Sequence, residues 1–212
     1  MGRIDKRYLK EMFLRCLDAE YFTVENSGSF AVERRGDRLY VYFEKSDGAE
    51  DWENNLDFFA GESRRECARE CEIWYAHEGF LRVWRSILPY IEGVLLDLDV
   101  REITTVGYSH GAAIALLCHE YVWYNRPDIR DKISGYGFGC PRVVWGRVAM
   151  EKDRWRSFYR IKNFDDIVTH LPPGSFGFKH VGNEINIGGV GRYSRIDAHR
   201  AENYIKELDR MR

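Results

Sequence analysis

The sequence predicts a single α/β domain with a mostly parallel central sheet flanked by helices. Three observations carry that expectation. Residues 103–108, 133–139 and 157–162 are short apolar runs with the length and the β-branched or aromatic content of buried strands. Helical periodicity fills residues 80–98 and 111–124, and strands that alternate with helices pair in parallel. Nothing divides the 212 residues: there is no internal repeat, no low-complexity tract and no linker rich in Pro, Gly or Ser.

The elements follow in order. Ile4, Tyr8, Leu9, Met12, Phe13, Cys16 and Leu17 recur at helical spacing, which predicts an amphipathic helix over about residues 3–20, an addition to the domain's N-terminal side. Residues 30–33 and 38–43 read as strands, with Gly36-Asp37 as the hairpin turn between them. Residues 47–78 are dense in charge, and within them Cys67, Cys71, Trp74 and Tyr75 read as the buried stripe of a helix. The long apolar segment 80–98 contains Pro89, where a kink or break is expected. A further extended run covers 180–187, and a helix over 197–208 closes the domain.

Composition removes several classes of function. With 32 Lys plus Arg against 34 Asp plus Glu, the formal net charge is -2, which gives no field to attract nucleic acid. The longest unbroken apolar run is residues 112–118, too short for a bilayer, so no stable membrane insertion is expected. The first ten residues carry charge with no apolar signal core behind them. Cys16, Cys67, Cys71, Cys118 and Cys140 read as reduced thiols, which points to a cytoplasmic protein. Cys67, Cys71 and His77 do not make a metal site, because no second cysteine pair completes four ligands.

Gly107-Tyr108-Ser109-His110-Gly111 matches G-x-S-x-G at a strand-to-helix junction. That is the sharp turn which exposes a serine hydroxyl above the sheet in α/β-hydrolases, and its glycines leave the turn room to close. A serine nucleophile requires a base and an orienting carboxylate, here in the order Ser, then Asp or Glu, then His. His119 lies about three helical turns beyond Ser109, too far to bond its hydroxyl. His170 and His180 bracket an apolar stretch and read as packed structural residues. His199, at the start of the last helix, is the candidate base. Asp165 and Asp166 both follow a strand at the right place, and periodicity does not choose between them.

From about residue 39 to 204 the chain resembles the class 3, fungal-type lipases. Tyr40-Val-Tyr-Phe-Glu-Lys-Ser46 stands where that family has an apolar strand ending in Arg-Gly-Ser or Arg-Gly-Thr. Asp51-Trp-Glu-Asn-Asn-Leu56, Ala76-His-Glu-Gly-Phe80, the serine motif and Gly137-Phe-Gly-Cys-Pro-Arg142 follow in the family's order. The segment 159–182 resembles the one that carries the family's acid. The resemblance implies Ser109, Asp166 and His199 as catalytic residues. It implies an oxyanion hole from Ser46 and the backbone of His110, with His77 a structural residue. Three departures stand out: Tyr108 for the usual His, His110 for the usual Leu, and Glu44-Lys45 for Arg-Gly.

The chemistry implied is hydrolysis of a small-molecule acyl ester or lipid through an acyl-enzyme, with no cofactor and no metal. The stretch 47–59 stands where the family's lid lies. It carries Asp47, Glu50, Asp51, Glu53 and Asp57 with no Lys or Arg, which predicts weak interfacial activation. A thioesterase or transacylase would use the same triad. A binding or scaffold protein on an impaired hydrolase fold is the alternative of a different class.

Overall fold

The N-terminal helix forms where the apolar stripe predicts it. Asp5 accepts the Arg7 N–H at 2.9 Å, and Leu9, Met12, Phe13 and Cys16 are buried along one face of α1 (Lys6–Asp18). The computed structural model describes residues 5–25, 28–45, 60–67, 70–150 and 152–211. After α1 come β1 (Phe22–Thr23), β2 (Ser29–Arg35) and β3 (Arg38–Phe43). β2 and β3 pair antiparallel through the two-residue turn at Gly36, whose φ of 63° suits glycine.

The charge-dense segment departs from expectation. It contains an antiparallel hairpin, β4 (Ala60–Cys67) and β5 (Glu70–His77), in place of a helix. Cys67 stands opposite Glu70 and Cys71 opposite Glu66, so the two cysteines lie on different strands. Trp74 and Ala76 face inward while Ile73 and Tyr75 are exposed, the two-residue period of a strand. Cys67 ends β4 and Cys71 lies in β5, so their spacing of four reports no shared face, which is why the pair misleads.

α2 (Glu78–Leu95) then runs through Pro89 without ending there. β6 (Glu102–Tyr108), α3 (His110–Asn125) and β7 (Ile133–Phe138) occupy the expected places. β8 (Val144–Trp145) and α4 (Lys152–Trp155) are short elements before β9 (Phe158–Asn163). The two-residue β10 (Phe178–Lys179), in the other sheet, precedes the extended run at 180–187, which contains β11 (Asn183–Ile187). A short turn over Asp197–His199 precedes α5 (Ala201–Arg210).

The main sheet has seven strands in the order β1-β2-β3-β6-β7-β9-β11, parallel from β3 onward. Pleating sends Leu39, Val41 and Phe43 to one face and Tyr40 and Tyr42 to the other. The first face packs on α2 and α3, the second on α1 and α5, so two cores sandwich the sheet. A second, antiparallel sheet, β10-β8-β5-β4, adds Trp74, Ala76 and Val144 to the first core. α3 is buried continuously from Gly111 to Val122, because it is covered on all sides. The serine turn therefore sits at the C-terminal edge of parallel strands, on the most enclosed helix.

Candidate active site

Ser109 is the single non-glycine residue with positive φ among the described residues, at 58°. Such a conformation is uncommon for a side-chain-bearing residue and persists only when its surroundings enforce it. Two glycines enforce it here. A Cβ on Gly107 would lie 2.1 Å from the Gly111 carbonyl oxygen, and one on Gly111 would lie 2.1 Å from that of Phe43. The Ser109 N–H continues the β6–β7 pairing by donating to the Phe138 carbonyl at 2.9 Å.

The histidine reaches this serine from the other end of the domain. His199 Nε2 lies 2.8 Å from Ser109 Oγ, and His199 Nδ1 lies 2.8 Å from Asp166 Oδ2. A carboxylate only accepts, so Nδ1 carries the proton and Nε2 keeps the lone pair that faces the serine hydroxyl. Asp166 is fully buried. Its Oδ1 accepts the Val168 N–H at 2.9 Å and its Oδ2 accepts the Tyr204 hydroxyl at 2.6 Å. Burial and the Asp166 charge hold the Tyr204 phenol far above its ordinary value, so it stays a donor.

The turn after β9 sends the two aspartates in different directions. Asp165 points to the 188–191 loop and accepts the Gly191 N–H at 2.6 Å, while Asp166 meets the imidazole. Asn163, at the end of β9, donates through Nδ2 to the Ala198 carbonyl at 2.8 Å and so ties down the turn that carries His199. Sequence reasoning missed Asn163 and the contact made by Tyr204. It also missed Gly139 as a wall of the site: at φ 58°, a Cβ there would lie 2.9 Å from His199 Cε1 and 3.0 Å from Asp166 Oδ2. The Gly-rich motif 137–142 was its only signal.

His110 opens α3, where the helix N-terminus favours a developing anion. Its ring packs edge-on against Phe80 at 5.5 Å, and burial beside His77 lowers it to about 4, so it is neutral near pH 7. Ser46 and the stretch 47–59 lie outside the described residues. Glu44 is exposed, and its charge is felt by Cys16 and Tyr21 on the α1 side of the sheet.

The other histidines are placed elsewhere. His77 is buried between Phe80 and Phe178, at 4.5 and 5.7 Å between ring centres. His119 packs edge-on against Phe158 at 5.4 Å, and His180 donates to the Thr169 carbonyl at 2.7 Å. His170 departs from the packed role expected of it: it is exposed, beside Lys162 at 3.2 Å. Among the described residues no cluster of His, Cys, Asp and Glu could hold a metal ion.

A serine held at such an elbow above a mostly parallel sheet defines the α/β-hydrolase fold. Within that class, residues 40–176 match the class 3 lipases, and the chain belongs to that family. A lipase from Rhizomucor miehei is 28% identical over 165 residues, covering 73% of this chain and 44% of that protein. A secreted mono- and diacylglycerol lipase from Fusarium solani is 26% identical over 164 residues, covering 75% of this chain and 46% of its own length. The chain thus spans less than half the length of these relatives. Among solved structures, the Rhizomucor miehei triacylglyceride lipase superposes with a TM-score of 0.70 at 22% identity, covering 87% of this chain and 79% of that one. A fungal lipase–inhibitor complex superposes with a TM-score of 0.71 at 20% identity, covering 92% and 89%.

The cytoplasmic expectation is corrected by these relatives, since the similar Fusarium solani protein is secreted. The cysteines misled because they report packing and not compartment. Cys16, Cys118 and Cys140 are buried and unbridged, and burial pushes each thiol up, to about 12 for Cys16 and Cys140.

Proposed function

We propose that the protein hydrolyses carboxylic esters of the lipase kind, with Ser109 as nucleophile, His199 as general base and acid, and Asp166 as the residue that orients His199. The observation that carries this reading is the continuous relay from Ser109 Oγ through His199 to a buried Asp166, with both links at 2.8 Å. As Ser109 Oγ bonds to the ester carbonyl carbon, its proton passes to His199 Nε2. The negative charge on the carbonyl oxygen falls to the His110 N–H at the start of α3, with Ser46 as the second donor implied by the family's motif. The C–O bond to the alcohol then breaks, the alcohol leaves with the proton from His199, and an acyl-enzyme remains. Water, giving its proton to His199, attacks that ester and releases the acid and free Ser109.

Ser109→Ala, His199→Ala and Asp166→Asn, each folded by thermal melting, lose about 10⁴-fold or more in ester hydrolysis. Activity within tenfold of wild type in any one of them contradicts the relay. The substrate side of the proposal is a soluble or micellar acyl ester. It rests on the acidic stretch 47–59, which repels an anionic interface. Rates measured across the critical micelle concentration of a short-chain ester rise by less than tenfold on this reading; a larger jump contradicts it.

A further inference from the structure

Tyr108 stands where the family's motif usually has His, and the relay as described gives it no task. Its ring lies against the His199 imidazole, with centres 5.2 Å apart and planes 27° from parallel. Its hydroxyl donates to the backbone carbonyl of the same His199. The contact is held from behind: Phe13 of α1 meets the Tyr108 ring edge-on at 5.3 Å, and Tyr204 meets it at 5.9 Å. Tyr108 is 3% exposed, so the ring has nowhere to swing. Burial and the nearby Asp166 charge keep its phenol protonated and thus a donor.

His199 has need of such a contact. It sits on a three-residue turn, so no long helix fixes its backbone. Its ring nitrogens bond Ser109 and Asp166, and those two bonds leave the ring's faces to be fixed by packing. During reaction it also gains a proton and becomes a cation.

We propose that Tyr108 is a positioning residue for His199, its ring setting the imidazole plane and facing the imidazolium as it forms, its hydroxyl pinning the backbone of the same residue. This rests on the reading of Ser109, His199 and Asp166 as the relay. A cation over a tyrosine face gains enough to account for about twofold to thirtyfold in rate. Loss of the hydroxyl pin accounts for about twofold to tenfold.

The test compares wild type, Tyr108→Phe, Tyr108→Leu and Ser109→Ala. Active serines are counted with a fluorophosphonate, kcat and KM on a soluble p-nitrophenyl ester are expressed per counted serine, and each protein is melted. Tyr108→Phe is expected to lose about twofold to tenfold in kcat and Tyr108→Leu about tenfold to a hundredfold, with KM within threefold. The phenylalanine variant thus restores part of what leucine loses. A merely structural role would lower the number of counted serines and leave kcat per serine at the wild-type value, and that result overturns the proposal. If Tyr108→Leu does not fold, Tyr108→Phe decides, wild-type kcat per serine being the overturning result. If Ser109→Ala still hydrolyses the ester, the relay itself has failed and the positioning role fails with it. A silent Ser109→Ala with unaffected Tyr108 variants rejects the positioning role alone.

Discussion

Gly139 shows how narrow the tolerances around the imidazole are. Its positive φ and the 2.9 Å approach to His199 Cε1 leave no room for even one methyl group. Gly139→Ala is therefore expected to push the His199–Asp166 pair out of line and to lower kcat/KM by about a hundredfold, the usual cost of a displacement near 1 Å. Steady-state kinetics on the purified variant check this, and a loss below threefold contradicts it. Ser109 stands out in the sequence through its flanking glycines and His199 through chain order, and the fold brings the two within 2.8 Å. Periodicity left Asp165 and Asp166 open, because adjacent residues share every such signal; the family resemblance pointed to Asp166, which is the one that meets the imidazole after β9. Asn163, Gly139 and the Tyr204 contact were illegible, since each acts through a three-dimensional approach between segments far apart in the chain.

At the scale of elements, strands of the parallel sheet were legible because they are short, apolar and spaced by helices. The β4–β5 hairpin was not. Its strands are rich in charge, and the cysteine spacing that suggested a helix runs from one strand to the other. α4 was equally hidden. It is four residues long and is tied to α3 by an ion pair: Arg154 Nη1 lies 3.3 Å from Glu120 Oε1 on α3, with both side chains buried. The Arg154 guanidinium also lies over Trp123 at 5.3 Å. Removing one member of such a pair strands a buried charge, so Arg154→Met is expected to destabilise the protein by about 3–5 kcal/mol. The double variant with Glu120→Leu is expected to recover part of this. Denaturant unfolding of the single and double variants checks it; a single-variant loss under about 1 kcal/mol contradicts the prediction.

For the whole molecule, the buried histidines predict a weakness to acid. Burial lowers His110 and His119 to about 4 and His180 to about 3 in the folded protein, against an ordinary value of 6.5. Between pH 6.5 and pH 4 the unfolded chain therefore binds more protons, and stability falls as the pH falls. His119 alone contributes a loss of about 2 kcal/mol by pH 5. His119→Leu is expected to flatten the fall in melting temperature between pH 7 and pH 5, and a slope equal to that of wild type contradicts this. The fold class was legible at this scale because alternation of strands and helices is a property of the entire chain. Compartment was not, because a buried thiol looks the same wherever the protein resides.

On this reading Ser109 owes its reactivity to His199 and Asp166. The most direct measurement is the intact mass of the folded protein after exposure to a fluorophosphonate, beside Ser109→Ala and His199→Ala. One adduct is expected on wild type, none on Ser109→Ala, and labelling of His199→Ala slowed by about a thousandfold or more. A folded wild-type protein that takes no adduct, or an adduct that survives in Ser109→Ala, would contradict it.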